Sequence, residues 1–193
     1  MPDHLHHTDE HFSGLEPGQL QAAGARFLGC HFEDCSFSEA DFSGAQFAEC
    51  TFERCELAMV NLTDAILQDV TFEASRLTGV NFSVLQLGAV GIQAEFLNCD
   101  LSFCSFRGMD LTHCAFRGSV AREADFQRCE LEKVAFDDCD LDRCVFNGNN
   151  LKDADLRTAR NYSISAFDNR MRGMKVSLPE AVNLLSALGV DVN

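Results

Sequence analysis

The sequence predicts an all-β fold, a solenoid whose chain turns a corner every five residues. From Phe27 to Ile92 every fifth residue is Phe, Leu or Ile, and the residue two places earlier is small or of modest size. The same pattern resumes at Phe96 and continues to Leu156, with one Ala in the series. A period of five fits neither the helical period of about 3.6 residues nor the period of about two in a flat strand. Four units therefore make one square coil of about 20 residues, with the large and the small side chains inside.

The repeat divides the chain into consecutive regions. Residues 1–24 form an N-terminal arm and cap. The solenoid follows in two arms, residues 25–93 and residues 94–159, and residues 160–193 form a C-terminal tail. The two arms together make about seven coils, which at a strand spacing of ~4.8 Å give a rod roughly 32 Å long.

The boundary between the arms is a break in the repeat. The frame slips by one residue within residues 88–95, where Gly88 and Gly91 permit unusual backbone angles. A bulge-like irregularity with a bend explains the slip without any function. The alternative is a hinge or a contact with a partner, in which Gly91, Leu97 and Phe103 would take part.

The chain is strongly acidic, with 30 Asp and Glu against 15 Lys and Arg and a net charge of −15. This charge argues against direct binding to nucleic acid or to an anionic membrane and favours a partner with a basic groove. The carboxylates either keep the rod soluble or provide a binding surface. The coil length aligns them in two outward columns, one of Glu33, Glu53 and Glu73 with Asp34 beside its base, and one of Glu49 and Asp69.

The ten cysteines all fall at the small inward position, so we expect them to be buried and to pack like small apolar side chains. Cys30 and Cys50 would stack on neighbouring coils at a distance that tolerates a disulfide, as would Cys35 and Cys55. In a reducing cytosol we expect free thiols. The sequence has no metal-binding, nucleotide-binding or nucleophile motif, and a convex rod offers no dry pocket. We therefore predict no enzyme activity, no cofactor and no metal.

The N-terminal arm is rich in histidine. The pattern resembles a metal-binding cluster weakly, and a mobile, solvated arm is the simpler interpretation. The start of the chain lacks the features of a signal peptide, and no apolar run approaches the ~18 residues of a membrane-spanning helix. We therefore expect a cytoplasmic protein without membrane association. The histidines of the arm are His4, His6, His7 and His11.

The C-terminal tail predicts a short helix that caps the last coil. Ser177 and Glu180 have the spacing of a capping box, and Gly189 is a suitable stop. Without a cap the last coil would expose apolar core and open backbone edges. The alternative is a cap that also forms a homodimer across a two-fold axis. The residues that would form this interface are Leu178, Ala181, Leu184, Leu185, Leu188 and Val190.

The repeat units resemble a known family. Ala40-Asp-Phe-Ser-Gly and Ala154-Asp-Leu-Arg-Thr are similar to the A(D/N)LXX consensus of pentapeptide-repeat proteins. The resemblance covers residues 25–159 and implies a right-handed quadrilateral β-helix. The tail from Asn161 resembles that of the Qnr-like subgroup, which implies a dimer that binds DNA gyrase and topoisomerase IV as a mimic of duplex DNA. This chain lacks the inserted loops that carry quinolone protection in some members.

The sequence and the resemblance together predict a non-enzymatic DNA mimic that binds DNA gyrase or topoisomerase IV. It would modulate the enzyme or protect it from a poison, such as an antibiotic or a toxin. The alternative is a structural scaffold of the same repeat class with a partner other than a topoisomerase.

Overall fold

The computed structural model describes residues 5–87 and 91–190, except for the side chains of residues 186 and 187. Short parallel strands stack in register, one coil above the next, and form two sheets. The first sheet contains β1 (His6–Thr8), β3 (Arg26–Leu28), β5 (Gln46–Ala48) and β7 (Ile66–Gln68). The second sheet contains β2 (His11–Ser13), β4 (His31–Glu33), β6 (Thr51–Glu53), β8 (Val70–Glu73), β9 (Ala94–Leu97), β10 (Ala115–Arg117) and β11 (Phe136–Asp137).

These sheets form two of the four sides of the tube, which we call the first side and the second side. The third side is held by single bridges such as Glu56 to Arg76, and the fourth by bridges such as Ser105 to Asp125. A 3-10 turn (Phe82–Val84) lies on the fourth side. The predicted four-sided coil is therefore confirmed.

The corners of the coil have a common backbone conformation. In the described ranges 18 non-glycine residues and 12 glycines have positive φ, between +48° and +81°. Most of them end a five-residue unit, as Asp34 and Arg54 do, each with a φ of +52°. Gly, Asn and Asp tolerate this left-handed region best. The corners therefore point polar side chains outward at regular intervals.

The inside of the tube is a ladder of aromatic and aliphatic side chains. On the second side each Phe stacks on its equivalent one coil away, with ring centroids 4.6 Å apart for Phe32 and Phe52 and 5.4 Å apart for Phe72 and Phe96. These four rings are all buried. Burial of large apolar side chains along the whole length is the main source of stability.

One coil is longer than the others. On the second side Phe52 pairs with Phe72, and Phe72 pairs in turn with Phe96, so the second step along the chain is four residues longer than the first. The slip of one residue in the five-residue frame is thus an addition of four residues to a single coil, between Gln86, which still bonds to Ala65 in the regular register, and Ala94, which pairs with Val70. Residues 88–90, which include Gly88, lie outside the described residues.

The solenoid includes part of the N-terminal arm, so the expectation of a mobile arm is wrong for His6, His7 and His11. Strands β1 and β2 pair with β3 and β4 in the same register as the later coils. His7 occupies an inward position, where its ring stacks on Phe27 with centroids 4.9 Å apart. A stacked imidazole thus replaces Phe at the end of the ladder. His4 lies outside the described residues.

At the other end, bridges continue the solenoid as far as Lys175, which pairs with Asp155. The predicted cap follows as α1 (Ala181–Ala187). The expected capping box is wrong, because the Ser177 hydroxyl donates to the Arg157 carbonyl and Glu180 accepts from the Asn183 side chain. Within the described ranges no helix has the length and apolarity to cross a bilayer.

The cysteines are buried, as predicted, and all ten are free thiols. Each Sγ donates to backbone carbonyls, as Cys55 does to the Phe32 carbonyl at 3.4 Å. Ser75 takes the same place one coil above Cys55 and accepts a hydrogen bond from the Cys55 N–H at 2.9 Å. Burial raises the pKa of Cys55 to about 12, so this thiol is a poor nucleophile.

Candidate partner-binding surface

The first predicted column of carboxylates forms on the second side. Glu33 is in register with Glu53, and Glu53 with Glu73. The next position in this column is Leu97, which pairs with Glu73 across the longer coil and is partly buried. The regular coil length therefore predicts the alignment of the three Glu side chains correctly, and the added residues explain why Leu97 follows.

An arginine outside the predicted set of residues offsets the charge at the base of this column. The Arg54 guanidinium contacts the carboxylates of Glu33 and Glu53, and its Nε donates to Asp34 Oδ1 at 2.8 Å. The hydrogen bond from Arg54 holds the pKa of Asp34 below its usual value. Arg54 stands one full coil after Asp34, at the same corner, and this spacing could have revealed the pair.

Two histidines lie beside the same carboxylates. His11 Nε2 is 3.1 Å from a Glu33 oxygen, and His31 Nε2 is 3.2 Å from a Glu53 oxygen. Glu33 and Glu53 are therefore already contacted by neighbouring groups of this chain. No group of three or more metal-ligating side chains has a metal-binding arrangement in the described part of the chain.

The second predicted column stands at the corner between the first and second sides. Glu49 and Asp69 have φ values of +54° and +52° and point into solvent. Among the described residues, neither these two carboxylates nor that of Glu73 forms an ion pair or a side-chain hydrogen bond. We call Glu49, Asp69 and Glu73 the acidic edge. It is the part of the predicted surface whose charge no described residue offsets by an ion pair.

The longer coil produces a concavity next to the acidic edge. An open cleft of about 400 Å³ is lined by Asp69, Glu95 and His113. Gly91 stands nearby with a φ of +76°, and a Cβ there would be 3.2 Å from the carbonyl oxygen of Asp110. Gly91 is therefore needed for the backbone conformation at the break, where a larger residue would be strained.

The predicted contacts around the break do not form one patch. Gly91 is on the first side, Leu97 is on the second side, and Phe103 is at the far corner of the third side. Phe103 is 58% exposed and has a φ of +62°. A flat partner cannot touch three consecutive sides of one coil at once.

The predicted dimer residues are divided between core and surface. Leu184 packs against the solenoid core and Ala181 is partly buried. The other predicted side chains are exposed, and so is Phe167, which lies outside the repeat and was missed. Among the tail residues that the structure describes, the exposed large apolar side chains are Phe167, Leu178, Leu185, Leu188 and Val190.

A four-sided tube of parallel strands around stacked Phe and Leu side chains defines a β-helical repeat protein. A sequence model of the pentapeptide repeat region matches residues 25–94 and 92–160. The chain belongs to the pentapeptide-repeat family, and its fold is the pentapeptide-repeat β-helix. A comparison with curated proteins finds no match.

The chain is similar to solved structures of other proteins. A trypsin-treated variant of QnrB1, a plasmid-mediated fluoroquinolone resistance protein, is 18% identical, and the match covers 97% of this chain and 100% of that one with a TM-score of 0.63. HetL, a pentapeptide repeat protein involved in heterocyst differentiation regulation from the cyanobacterium Nostoc sp., is 19% identical, with coverage of 90% and 84% and a TM-score of 0.47. At so low an identity the likeness to QnrB1 shows a shared fold.

Proposed function

We propose that this protein is a non-enzymatic, acidic mimic of duplex DNA that binds DNA gyrase or topoisomerase IV. Binding would modulate the enzyme or protect it from a poison. The observation that carries the proposal is the acidic edge, a set of carboxylates without partners on a rigid rod. The resemblance to the Qnr-like subgroup and the likeness to QnrB1, a fluoroquinolone resistance protein, support the choice of partner.

The physical basis of the proposal is the match of charge and stiffness. Residues 25–94 carry 10 acidic and 3 basic residues, a net charge of −7 along about four coils. Over ~17 Å of rod this is one charge per ~2.4 Å, close to the one per ~1.7 Å of duplex DNA. A groove built for DNA is complementary to this field, which accelerates encounter. A preformed rod also loses little ordering entropy when it docks.

The proposed contact centres on Glu49, Asp69 and Glu73 rather than on Glu33 and Glu53. The latter two are engaged by Arg54 and by histidines, so a basic partner would have to compete with these groups. Unpaired carboxylates cost less to bring into a new ion pair. Because the proposed partner is a cytoplasmic enzyme, we propose that this protein acts in the cytoplasm.

The absence of catalysis is part of the proposal. Burial raises the pKa of the Cys104 thiol to about 12. The reactive thiolate form is therefore scarce at neutral pH, which is unfavourable for a nucleophile. The cleft beside the acidic edge is open to solvent, whereas catalysis favours an enclosed site.

We also propose a homodimer through the C-terminal end. Leu178 is 77% exposed, and Leu185, Leu188 and Val190 are exposed further along the tail. Monomeric proteins rarely leave so many large apolar side chains in water within one short segment. An end-to-end dimer would bury them and double the length of the rod.

The test of partner binding is DNA supercoiling by purified gyrase, with and without a quinolone. We expect micromolar amounts of the wild-type protein either to inhibit supercoiling or to restore it in the presence of the drug. The variant Glu49→Lys/Asp69→Lys should lose this effect. The control Glu39→Lys/Asp64→Lys changes the net charge equally, at corners that also have positive φ.

If wild-type protein neither inhibits nor restores supercoiling, the topoisomerase proposal is wrong. A scaffold role with a different partner is then the better explanation. Equal loss of activity in the test and control variants would show that net charge matters and that the acidic edge does not.

A further inference from the structure

The last coil of the solenoid differs in charge from the rest of the chain. Residues 157–175 contain five basic residues and one acidic residue, which gives 5 − 1 = +4 in a chain of −15. Some of these basic groups are offset locally. Arg157 Nη2 is 2.7 Å from Asp155 Oδ2, and Lys175 Nζ is 3.7 Å from the same oxygen.

Two arginines of this coil have no such partner. Arg170 and Arg172 are exposed on the first side, where Arg170 bridges to the backbone of Asn150. Neither forms an ion pair within the described ranges. Phe167, the most exposed large apolar side chain there, precedes them at the neighbouring corner. We call Phe167, Arg170 and Arg172 the basic end.

The basic end lies near the same corner line of the tube as Glu49 and Asp69, several coils further along the rod. The corner that carries Glu49 and Asp69 continues through Lys133 and Asp153 to Gly173, next to Arg172. Asp69 and Gly173 are five coils apart, or ~24 Å at the strand spacing. Charges this far apart are screened from each other at physiological salt, where the Debye length is about 8 Å.

A stiff tube cannot fold back to bring these two surfaces together, so complementary contact requires another molecule. We propose that the basic end of one chain binds the acidic edge of a second copy. The unpaired carboxylates of the acidic edge match the unpaired guanidinium groups of the basic end in charge. An Arg side chain can bind a carboxylate through two parallel hydrogen bonds, which Lys cannot do. Phe167 would add apolar contact beside the charges.

A second copy fits this surface better than a nucleic acid. A polyanion longer than the basic end would meet the −15 net charge of the whole rod. A second copy presents the acidic edge, a short negative patch about as long as the basic end. The contact joins two different surfaces, so it is heterologous and can add further copies.

This contact has a regulatory consequence that does not depend on the identity of the partner protein. It covers the acidic edge, so any basic partner must compete with self-association. Salt should act in two ways. At about 0.01 M salt the Debye length is about 30 Å and the two rods repel as wholes, whereas at about 1 M salt the local contact itself is screened. Self-association should therefore be strongest at intermediate salt.

The experiment is a charge swap followed by sedimentation velocity over a concentration series at about 0.1 M salt. Arg170→Glu/Arg172→Glu makes both surfaces acidic, and Glu49→Lys/Asp69→Lys makes both basic. We expect each double variant to self-associate about tenfold more weakly than wild type or worse. The quadruple variant has the wild-type net charge, because −4 and +4 cancel, and it should recover the wild-type association.

The matched control is Arg107→Glu/Arg128→Glu, which changes the net charge by −4 on the fourth side and should associate like wild type. Any end-to-end dimer through α1 is present in all variants, so the measurement reports self-association beyond that dimer. If the quadruple variant stays as weak as the double variants, or if all variants behave alike, the proposal is wrong. It is also overturned if the basic end is needed instead to bind a duplex oligonucleotide.

Discussion

Replacement of Phe96 by Ala tests whether the stacked ladder holds the rod together. Phe96 is fully buried and stacks between Phe72 and Phe116, with centroids 5.4 and 5.2 Å away. Truncation of a buried Phe to Ala costs about 3–5 kcal/mol, because it removes apolar burial and leaves a cavity. We expect the upper part of this range, since each aromatic pair adds about 0.5–1.5 kcal/mol. That is a large share of the roughly 5–15 kcal/mol of a typical domain.

Two comparison variants make the test specific. Phe12→Ala removes a partly buried ring at the end of the ladder, which stacks on Phe32 alone, so we expect roughly half the loss. Phe96→Leu puts in a side chain that the repeat accepts at equivalent positions, and we expect a loss of about 1–2 kcal/mol. The measurement is urea unfolding followed by far-UV circular dichroism, with the slope checked for constancy. A loss below about 1 kcal/mol for Phe96→Ala, or one equal to that of Phe12→Ala, would refute a ladder held by stacking.

Three further predictions follow from single contacts. Ser75→Ala should cost about 1–3 kcal/mol in urea unfolding, because it leaves the buried N–H of Cys55 without an acceptor, and a neutral effect would contradict this hydrogen bond. Hydrogen bonds from Arg157 lower the pKa of Asp155 to about 2 from 3.8, so its contribution to stability is complete above 3.8 and is lost as the pH falls towards 2. Urea unfolding of wild type and Asp155→Asn across this range should show a smaller pH dependence in the variant. A thiol reagent should modify the folded protein no faster than it unfolds, since all ten thiols are buried, and rapid labelling of any thiol would show that the tube opens.

The repeat predicts the inside of this protein well, because the interior has strict requirements at every fifth residue. A large apolar side chain and a small one two places earlier fill a tube of constant width, so their positions alone specify the coil. The burial of all ten cysteines follows from the same size limit. The pattern predicts the frame slip as well, though it does not tell one missing residue from four added ones.

The ends and the surface were harder to predict for separate reasons. His7 breaks the pattern of Phe and Leu, so the first coil is not visible as a repeat, although the imidazole stacks like an aromatic ring. The capping box around Ser177 was a local signal that tertiary contact with the Arg157 carbonyl overrode. The alignment of carboxylates does not reveal Arg54, because its partner Asp34 lies one coil away at a corner beside the column.

Charge pairing on this surface follows the coil length, and this regularity identifies the charges that stay unpaired. Opposite charges one coil apart in the chain meet on neighbouring coils, as Asp34 meets Arg54 at 2.8 Å and Glu132 meets Lys152 at 2.7 Å. Glu49 has Asp69 at that separation instead, and two like charges ~4.8 Å apart in water repel by roughly 1 kcal/mol. Binding of a basic partner relieves this repulsion. At a carboxylate that already pairs with Arg, the same partner contributes little additional binding free energy. The positions that lack an opposite charge one coil away are therefore the ones to mutate first in a search for a binding surface.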